Sequence, residues 1–472
     1  MSIKSVDVGK TAASYHSRLS RCVRHFTPAW FTAIMGTGAI AVLWQNSPYV
    51  YRSTATETLV RIFFFFDLFL FGIFNIVTAL RYAMFPEVWR SSMQHPTQTL
   101  FLATYPMGAT TLISIAAGIH AEAGFGDRYF VYTLWALWWA DVFVSLMCAF
   151  GIVHIMFTRQ KHSLERITAV WLLPVVTLIV ASSTGGVLAA SLIEYSITAT
   201  LATLVFATAL VTMGLTLAFM MLSLYFLRLA LYGVPRHAEV ASVFIPLGPL
   251  GQGAYSILLL GSGYNSVLPL HSGTSTILRQ QDIGRIINVM TLAISLVLWS
   301  MATLWLIYAV MAISDVLWHD RVPFKQAFWS LIFPNGVYAN LTIQLYRVTD
   351  SPFFRVWGAT YAIATLLVWS WVFTRTCMLV YTGGVFRAPY LDEADIHTAA
   401  IEKDASTWNA HKPITDLEAA CVPGCPSLPV VVATNGHRES DRSTGPGEGI
   451  MDSEQSILVG VFETMETQVK AM

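Results

Sequence analysis

The chain has 472 residues, 55% of them hydrophobic and only 12% charged, with a mean hydropathy of +0.57, which excludes a soluble protein of this length. Its 28 basic and 28 acidic residues cancel, so no basic excess points to nucleic acid. The composition is that of an all-α integral membrane protein.

Apolar runs of about 20 residues, each enough to cross a hydrocarbon core of roughly 30 Å as a helix, begin near Phe26, Thr56, Leu100, Tyr129, Thr168, Ser196, Ala241, Ile286, Phe328 and Phe353. Ten transmembrane helices are therefore predicted over residues 26–385. The mostly polar residues 1–25 read as a cytosolic tail, because the run that follows is a full span rather than the short apolar core of a cleavable signal. Threading the ten helices alternately puts the tail's Lys and Arg on one side with Arg81, Arg90, Arg159, Lys161, Arg166, Arg228, Arg236, Arg321 and Lys325. That side is cytoplasmic by the bias of basic residues toward the cytosol, and both termini lie there. Residues 386–472 carry 14 acidic and 6 basic groups with scattered Pro, Gly and Ser, the pattern of a disordered cytosolic extension. The five cysteines fall in cytosolic or membrane positions, so no disulfide framework is expected. Cys421 and Cys425 in "CVPGC" show no further ligands, and neither a metal nor a cofactor is expected.

The odd-numbered spans share a signature that the even ones lack. "YPMG" (Pro106, Gly108), "IPLG" (Pro246, Gly248) and "FPNG" (Pro334, Gly336) stand in the third, seventh and ninth; the first has Pro28 with "MGTGA" around Gly36, and the fifth has Pro174 with "ASSTGG". Proline removes a helix hydrogen bond and glycine uncovers the backbone, and lipid satisfies neither. A single such proline can be an ordinary kink in a packed helix. A split on all odd spans and no even span predicts five repeats of one helical hairpin, with the five broken helices around a central pore and the regular ones outside.

The odd spans offer hydroxyls and amides to that axis: Thr37, Thr104, Ser182, Ser183, Thr184, Gln252 and Asn335. No Lys, Arg, Asp or Glu stands at mid-depth on them. Helix N-termini and freed N–H groups attract anions, and without a fixed cation a bound anion is not trapped. A small anion is the expected permeant, although the same lining suits a neutral polar solute. Asp67 and Asp141 are buried in the second and fourth spans, where an aspartate either ties neighbouring helices together or couples protons to transport. His154 is alone on its span and is expected at a helix interface. No histidine pair suggests haem, and no phosphate-binding loop suggests ATP.

"ATYPMG" (103–108), "LWWADV" (137–142), "VASS" (180–183), "LGPLGQGAY" (247–255) and "FWSLIFPNG" (328–336), in this order over about residues 22–385, resemble the fungal sulfite efflux pumps of the tellurite-resistance/dicarboxylate transporter family. That family also includes a bacterial tellurite-resistance protein, plant slow anion channels and yeast malate permeases. The resemblance implies ten helices in five hairpins around a pore, a homotrimer with one pore per subunit, and a phenylalanine on the ninth helix that plugs it. The matching residue here is Phe333, beside Pro334. It further implies sulfite or bisulfite export across the plasma membrane by a protein that is not an enzyme, with a C4-dicarboxylate permease or a chloride or nitrate channel as alternatives. Energetics favour export: an interior negative by 100 mV drives a monovalent anion outward by about 2.3 kcal/mol. Uptake of a dicarboxylate would need a coupled fuel, and no basic pair is present to hold two carboxylates.

Overall fold

The computed structural model describes residues 20–382 apart from 21, 51, 52, 236, 271–274, 320, 321 and 323. The predicted acidic tail, most of residues 1–25, and Cys421 and Cys425 lie outside them. The regular elements among the described residues are all helical. Helix α1 spans Phe31–Gln45, α2 Thr54–Met84, α3 Thr104–Ala123, α4 Arg128–Leu146, α5 Leu173–Leu192, α6 Ile197–Tyr232, α7 Leu247–Val267, α8 Ile283–His319, α9 Ile332–Thr349 and α10 Pro352–Thr382. A π-helical turn, Met147–Ile152, carries α4 on into Val153–Arg159.

Local chemistry sets several of these boundaries. Ser53, Asp127 and Ser196 stand before α2, α4 and α6 in extended backbone, and each side-chain oxygen accepts a first-turn N–H, satisfying donors that have no helical partner. Gly124 ends α3 in the left-handed region, at φ 61°, where a residue without Cβ is unstrained.

Among the described residues, eight spans are long and apolar enough to cross a membrane. The first and ninth predicted runs are not among them. Their α-helical parts, α1 and α9, are 15 and 18 residues long, and α9 carries Asn335, Asn340 and Gln344. The tight turns Pro28–Trp30 and Gln326–Leu331 lead into them.

Each odd helix packs against the even helix that follows it, giving the hairpins α1–α2, α3–α4, α5–α6, α7–α8 and α9–α10. The odd helices also pack in succession, α1 on α3, α3 on α5, α5 on α7 and α7 on α9, and α9 returns to α1. A closed inner ring of five helices results. Burial separates the two layers: the most apolar stretch of the α5 span is 94% buried and that of α7 89%, against 6% for α2 and 11% for α10. The outer helices present Phe65, Phe69, Val297, Ile307, Ile363 and Leu367 outward, the surface that lipid covers.

Association inside a bilayer draws little on the hydrophobic effect and depends on close contact. Helix α5 achieves it through small residues. A Cβ added at Gly185 would lie 2.8 Å from the Trp138 ring of α4 and 3.1 Å from Ala207 of α6, and one at Gly186 would lie 2.8 Å from Leu259 of α7. Gly36 and Gly108 serve the same end, where an added Cβ would stand 3.1 Å and 3.3 Å from Ile332 and Ile34.

The signature prolines differ from expectation in one respect. They stand at the starts of the inner α-helices rather than in their middles. Pro106 and Pro334 are the third residues of α3 and α9, Pro174 is the second of α5, Pro246 immediately precedes α7, and Pro28 opens the turn into α1. The reason is that first-turn N–H groups have no helical acceptor, so proline loses nothing there and its fixed φ suits the helix. The turns Pro28–Trp30, Ala169–Leu172, His237–Phe244 and Gln326–Leu331 are 3₁₀-helical, so the break lies at the change from tighter to wider winding.

Candidate functional site

Because all five inner helices begin at one end of the ring, their first turns converge. A cavity of about 30 Å³ lies there. Its wall includes Thr32 and Met35 from the first span, Met107 from α3, Leu173 and Val176 from α5, Gly248 from α7, and Phe333 and Pro334 from α9. It is mostly apolar and contains no charged side chain. Five N-terminal helix ends nevertheless turn toward it, each equivalent to a partial positive charge of roughly half an electron.

Further along the axis lies a second cavity of about 30 Å³, with a different wall. Each inner helix gives it one face at three- or four-residue spacing: Ala39 and Val42 from α1, Thr111 and Ser114 from α3, Val180 and Thr184 from α5, Gln252 and Tyr255 from α7. Helix α9 supplies Phe333, Gly336, Val337 and Asn340, a single stripe at i, i+3, i+4 and i+7. Six of its twelve lining residues carry a hydroxyl or an amide, again without a formal charge. Phe333 is the one residue shared by the two walls. Phe333 is 6% exposed and borders both water-sized spaces.

The predicted lining residues divide. Thr184 and Gln252 line the polar cavity, as does Gly336, and Gly248 lines the apolar one. Ser183 lies one layer behind: its Oγ donates to the Val180 carbonyl at 2.8 Å and accepts from Gln252 Nε2, which steadies the Gln252 amide. The other four belong to neither wall. Trp369 of α10 donates to Thr37 Oγ1 at 3.2 Å. Thr104 Oγ1 donates to the carbonyls of Pro28 and Phe101 at 2.9 and 2.7 Å. Ser182 Oγ donates to the Ala207 carbonyl at 2.6 Å and pairs with Ser256 at 2.7 Å. Asn335 Nδ2 donates to the Leu331 carbonyl at 2.6 Å, and its Oδ1 accepts from the Tyr361 hydroxyl of α10. The physical reason is common to all four. A polar side chain on a membrane helix must find a partner, and a nearby backbone carbonyl, hydroxyl or indole satisfies it as well as a pore does.

The two aspartates also diverge. Asp141 Oδ2 accepts from Thr110 Oγ1 at 2.6 Å, tying α4 to α3. Asp67 is fully buried, and both carboxyl oxygens lack a hydrogen-bond partner among the described residues. Its carboxyl lies against Gly38 of α1, where an added Cβ would be 3.1 Å from Oδ2 and would collide with Thr111. Thr111 is a pore-wall residue, so the Asp67 carboxyl is one side chain from the axis. His154 is exposed on the outer surface of its segment rather than held at an interface within the subunit. Among the described residues, no three His, Cys, Asp or Glu side chains gather as metal ligands do.

Sequence reasoning passed over Thr111, Ser114, Tyr255 and, as a wall residue, Asn340. Helical spacing from Phe333 and Gln252 was the available signal, since Asn340 is two turns beyond Phe333 and Tyr255 one turn beyond Gln252.

A closed ring of hairpin helices around two uncharged axial cavities is the architecture of a multi-pass membrane channel or transporter. The chain belongs to the SLAC1 voltage-dependent anion channel family, whose model matches residues 25–377. It is 31% identical over 369 residues to the sulfite efflux pump SSU1 of Trichophyton rubrum, a match covering 77% of this chain and 93% of that relative. It is 26% identical to the sulfite efflux pump SSU1 of Candida albicans over 366 residues, covering 73% and 72% of the two chains. Identity to the malic acid transport protein of Schizosaccharomyces pombe is 22% over 367 residues, 77% of this chain and 80% of the relative.

Proposed function

We propose that the protein exports sulfite, as monovalent bisulfite, through the axis of α1, α3, α5, α7 and α9, with Phe333 as the gate. The observation that carries this reading is the pairing of two cavities across one ring, the first at five helix N-termini and the second lined by neutral donors. An anion is drawn by partial positive charge at the entrance and then held by hydroxyls and amides. It meets no fixed cation on either wall that would retain it. Similarity to sulfite efflux pumps at 31% identity supports sulfite as the anion. A malate dianion would call for paired cations to match two carboxylates, and neither wall carries one; the more distant malic acid transport protein keeps this as the second reading. A chloride or nitrate channel is the third.

On this reading the protein is a transporter and not an enzyme. It sits in the plasma membrane as a homotrimer with one pore per subunit and both termini in the cytoplasm, so the apolar cavity is the cytosolic entrance. α1 and α9 complete ten crossings. Asp141 acts as a tie between α3 and α4, Asp67 is buried against Gly38 of α1, and export needs neither to couple a proton. The acidic residues 386–472 are dispensable for conduction.

The test is flux in liposomes containing the purified full chain, with sulfite, malate and chloride assayed in parallel. Sulfite flux exceeding malate flux is the expected result. Malate flux without sulfite flux would overturn the assignment.

A further inference from the structure

A larger cavity, of about 500 Å³, lies off the axis among the described residues. It shares no wall residue with the two axial cavities. Two lead-in segments form it, residues 95–100 before α3 and residues 161–171 before α5. Lys161 and Arg166 bring an ammonium and a guanidinium, His95 and His162 imidazoles, and Thr97 and Ser163 hydroxyls. Leu100 and Trp171 add an apolar part.

The two segments hold this space open without filling it. Gln160 Nε2 donates to the Met93 carbonyl at 3.3 Å and to Thr99 Oγ1 at 3.1 Å, which ties one segment to the other. Thr99 Oγ1 in turn donates to the Ser92 carbonyl at 2.8 Å. Arg228 of α6 donates from Nε to the Glu165 carbonyl at 3.2 Å, and the His162 ring meets the Trp171 ring edge-on at 4.8 Å. His95 Nδ1 accepts the N–H groups of Thr97 and Gln98 at 3.2 and 3.3 Å, so a neutral ring carries its proton on Nε2 and is a donor there. Among the described residues, no ion pair takes up Lys161, Arg166 or Glu165, although all three line the one cavity.

These features narrow the ligand. Two cations that no neighbour neutralises, beside imidazoles and hydroxyls, call for an anion, and an ammonium with a planar guanidinium is a donor set that suits phosphate oxygens. The volume falls within the range of about 300–1,000 Å³ for small-molecule sites, so a single small anion would leave most of it to water. Glu165 repels phosphate but accepts from hydroxyls, which fits a ring bearing both. The segments precede α3 and α5 at the membrane face read above as cytoplasmic, where basic pockets between helices suit phosphorylated lipid headgroups.

We propose that this cavity binds a phosphorylated polyol, with Lys161 and Arg166 on its phosphates and Glu165 on a ring hydroxyl. The same chemistry comes from a soluble inositol phosphate or from the headgroup of a phosphoinositide in the inner leaflet. Only the lipid source depends on the cytoplasmic placement, and neither depends on which anion crosses the axis. A ligand there joins the lead-ins to α3 and α5 close in the chain to Phe101 and Leu173, which line the apolar axial cavity.

The experiment is calorimetric titration of the full chain, purified in an uncharged detergent, with inositol trisphosphate, dioctanoyl phosphatidylinositol bisphosphate, unphosphorylated inositol and inorganic phosphate. Loss of a hydrogen bond between charged partners is worth about tenfold. The trisphosphate should therefore bind at least about tenfold more tightly than inorganic phosphate, and inositol should not bind. Tighter binding of the lipid than of the trisphosphate assigns the site to a membrane headgroup, and lipid binding no tighter assigns it to the soluble ligand. Lys161→Gln and Arg166→Gln should each weaken the trisphosphate about tenfold, and the double variant about a hundredfold. Both side chains are exposed, so the thermal midpoint should not change. Arg159→Gln removes an equal charge that is near in the chain but absent from the wall, and it should leave affinity nearly unchanged. Equal losses in Arg159→Gln and Arg166→Gln would reveal only a diffuse surface charge and overturn the proposal. Inorganic phosphate binding as tightly as the trisphosphate would overturn it too, as would no binding of either phosphorylated inositol compound.

Discussion

Replacing Phe333 by Ala separates a gate from an ordinary core residue, because the two roles predict opposite signs. In a close-packed core, Phe→Ala costs about 3–5 kcal/mol through lost burial and the cavity left behind. Phe333 is buried among core residues, but its packing is incomplete. It borders two spaces of about 30 Å³ each, so part of its surface already lacks packing partners, and removing the ring joins those spaces into one path. The stability cost should therefore fall below the core range, at roughly 1–3 kcal/mol. The conduction barrier should fall at the same time, since an apolar ring in a narrow path both blocks it and dewets it. Every 1.4 kcal/mol removed from that barrier is tenfold in rate, and the account predicts at least one such factor. The assay is flux of sulfite and of chloride in liposomes, normalised to inserted protein. Both should rise together, because the hydroxyls and amides of the polar wall are left intact. Unchanged or reduced flux of both anions in correctly inserted protein would refute the reasoning.

In the Phe333→Ala background, cysteines placed at Thr111, Thr184 and Asn340 should react with a small aqueous thiol reagent, while those at Thr37 and Asn335 should stay protected behind the outer helices; the reverse pattern would move the pore. Thr110→Val removes the donor to Asp141 and leaves a buried carboxyl without its bond at 2.6 Å, which should cost about 1–3 kcal/mol and lower the thermal midpoint in detergent, with an unchanged midpoint counting against the tie. Gly185→Ala should lower the same midpoint, because its new methyl would sit 2.8 Å from the Trp138 ring and overpacking costs about 1–3 kcal/mol; a neutral effect would mean α4 and α5 move apart freely. Truncation after residue 390 should leave flux per inserted molecule nearly intact, and its loss would place the acidic tail in the conduction machinery.

The layering of the fold was legible because its cause is written into composition. Only helices shielded from lipid tolerate proline with glycine in a span; Pro106, Pro174 and Pro334 lie in inner helices and Pro246 immediately before one. Their placement within the helix was less legible, since the sequence does not show where 3₁₀ winding gives way to α. Site residues were half legible. Gln252 and Thr184 do reach the axis, but polarity marks the inner helix rather than the face of it. Asn335 stands about 200° around the helix from Phe333, so the two cannot both face the pore, and Tyr361 takes the amide instead. Thr37 is claimed by Trp369 in the same way. Tyr255 was hidden for the opposite reason: an aromatic side chain in a membrane helix reads as packing, yet it lines the polar cavity. Lys161 and Arg166 are visible in sequence as loop cations, but the cavity they share with His95 depends on two lead-in segments meeting in space.

The central claim is that sulfite leaves as a monovalent anion through the path gated by Phe333, driven by membrane potential alone. The most direct measurement is the steady-state sulfite distribution across liposomes holding the purified chain, with a potential of 100 mV, negative inside, and no pH difference. That potential is worth about 2.3 kcal/mol per charge. The account predicts that sulfite redistributes until its outside concentration exceeds the inside one by about fiftyfold. Distribution that stays near unity, and moves only when a proton gradient is imposed, would contradict it.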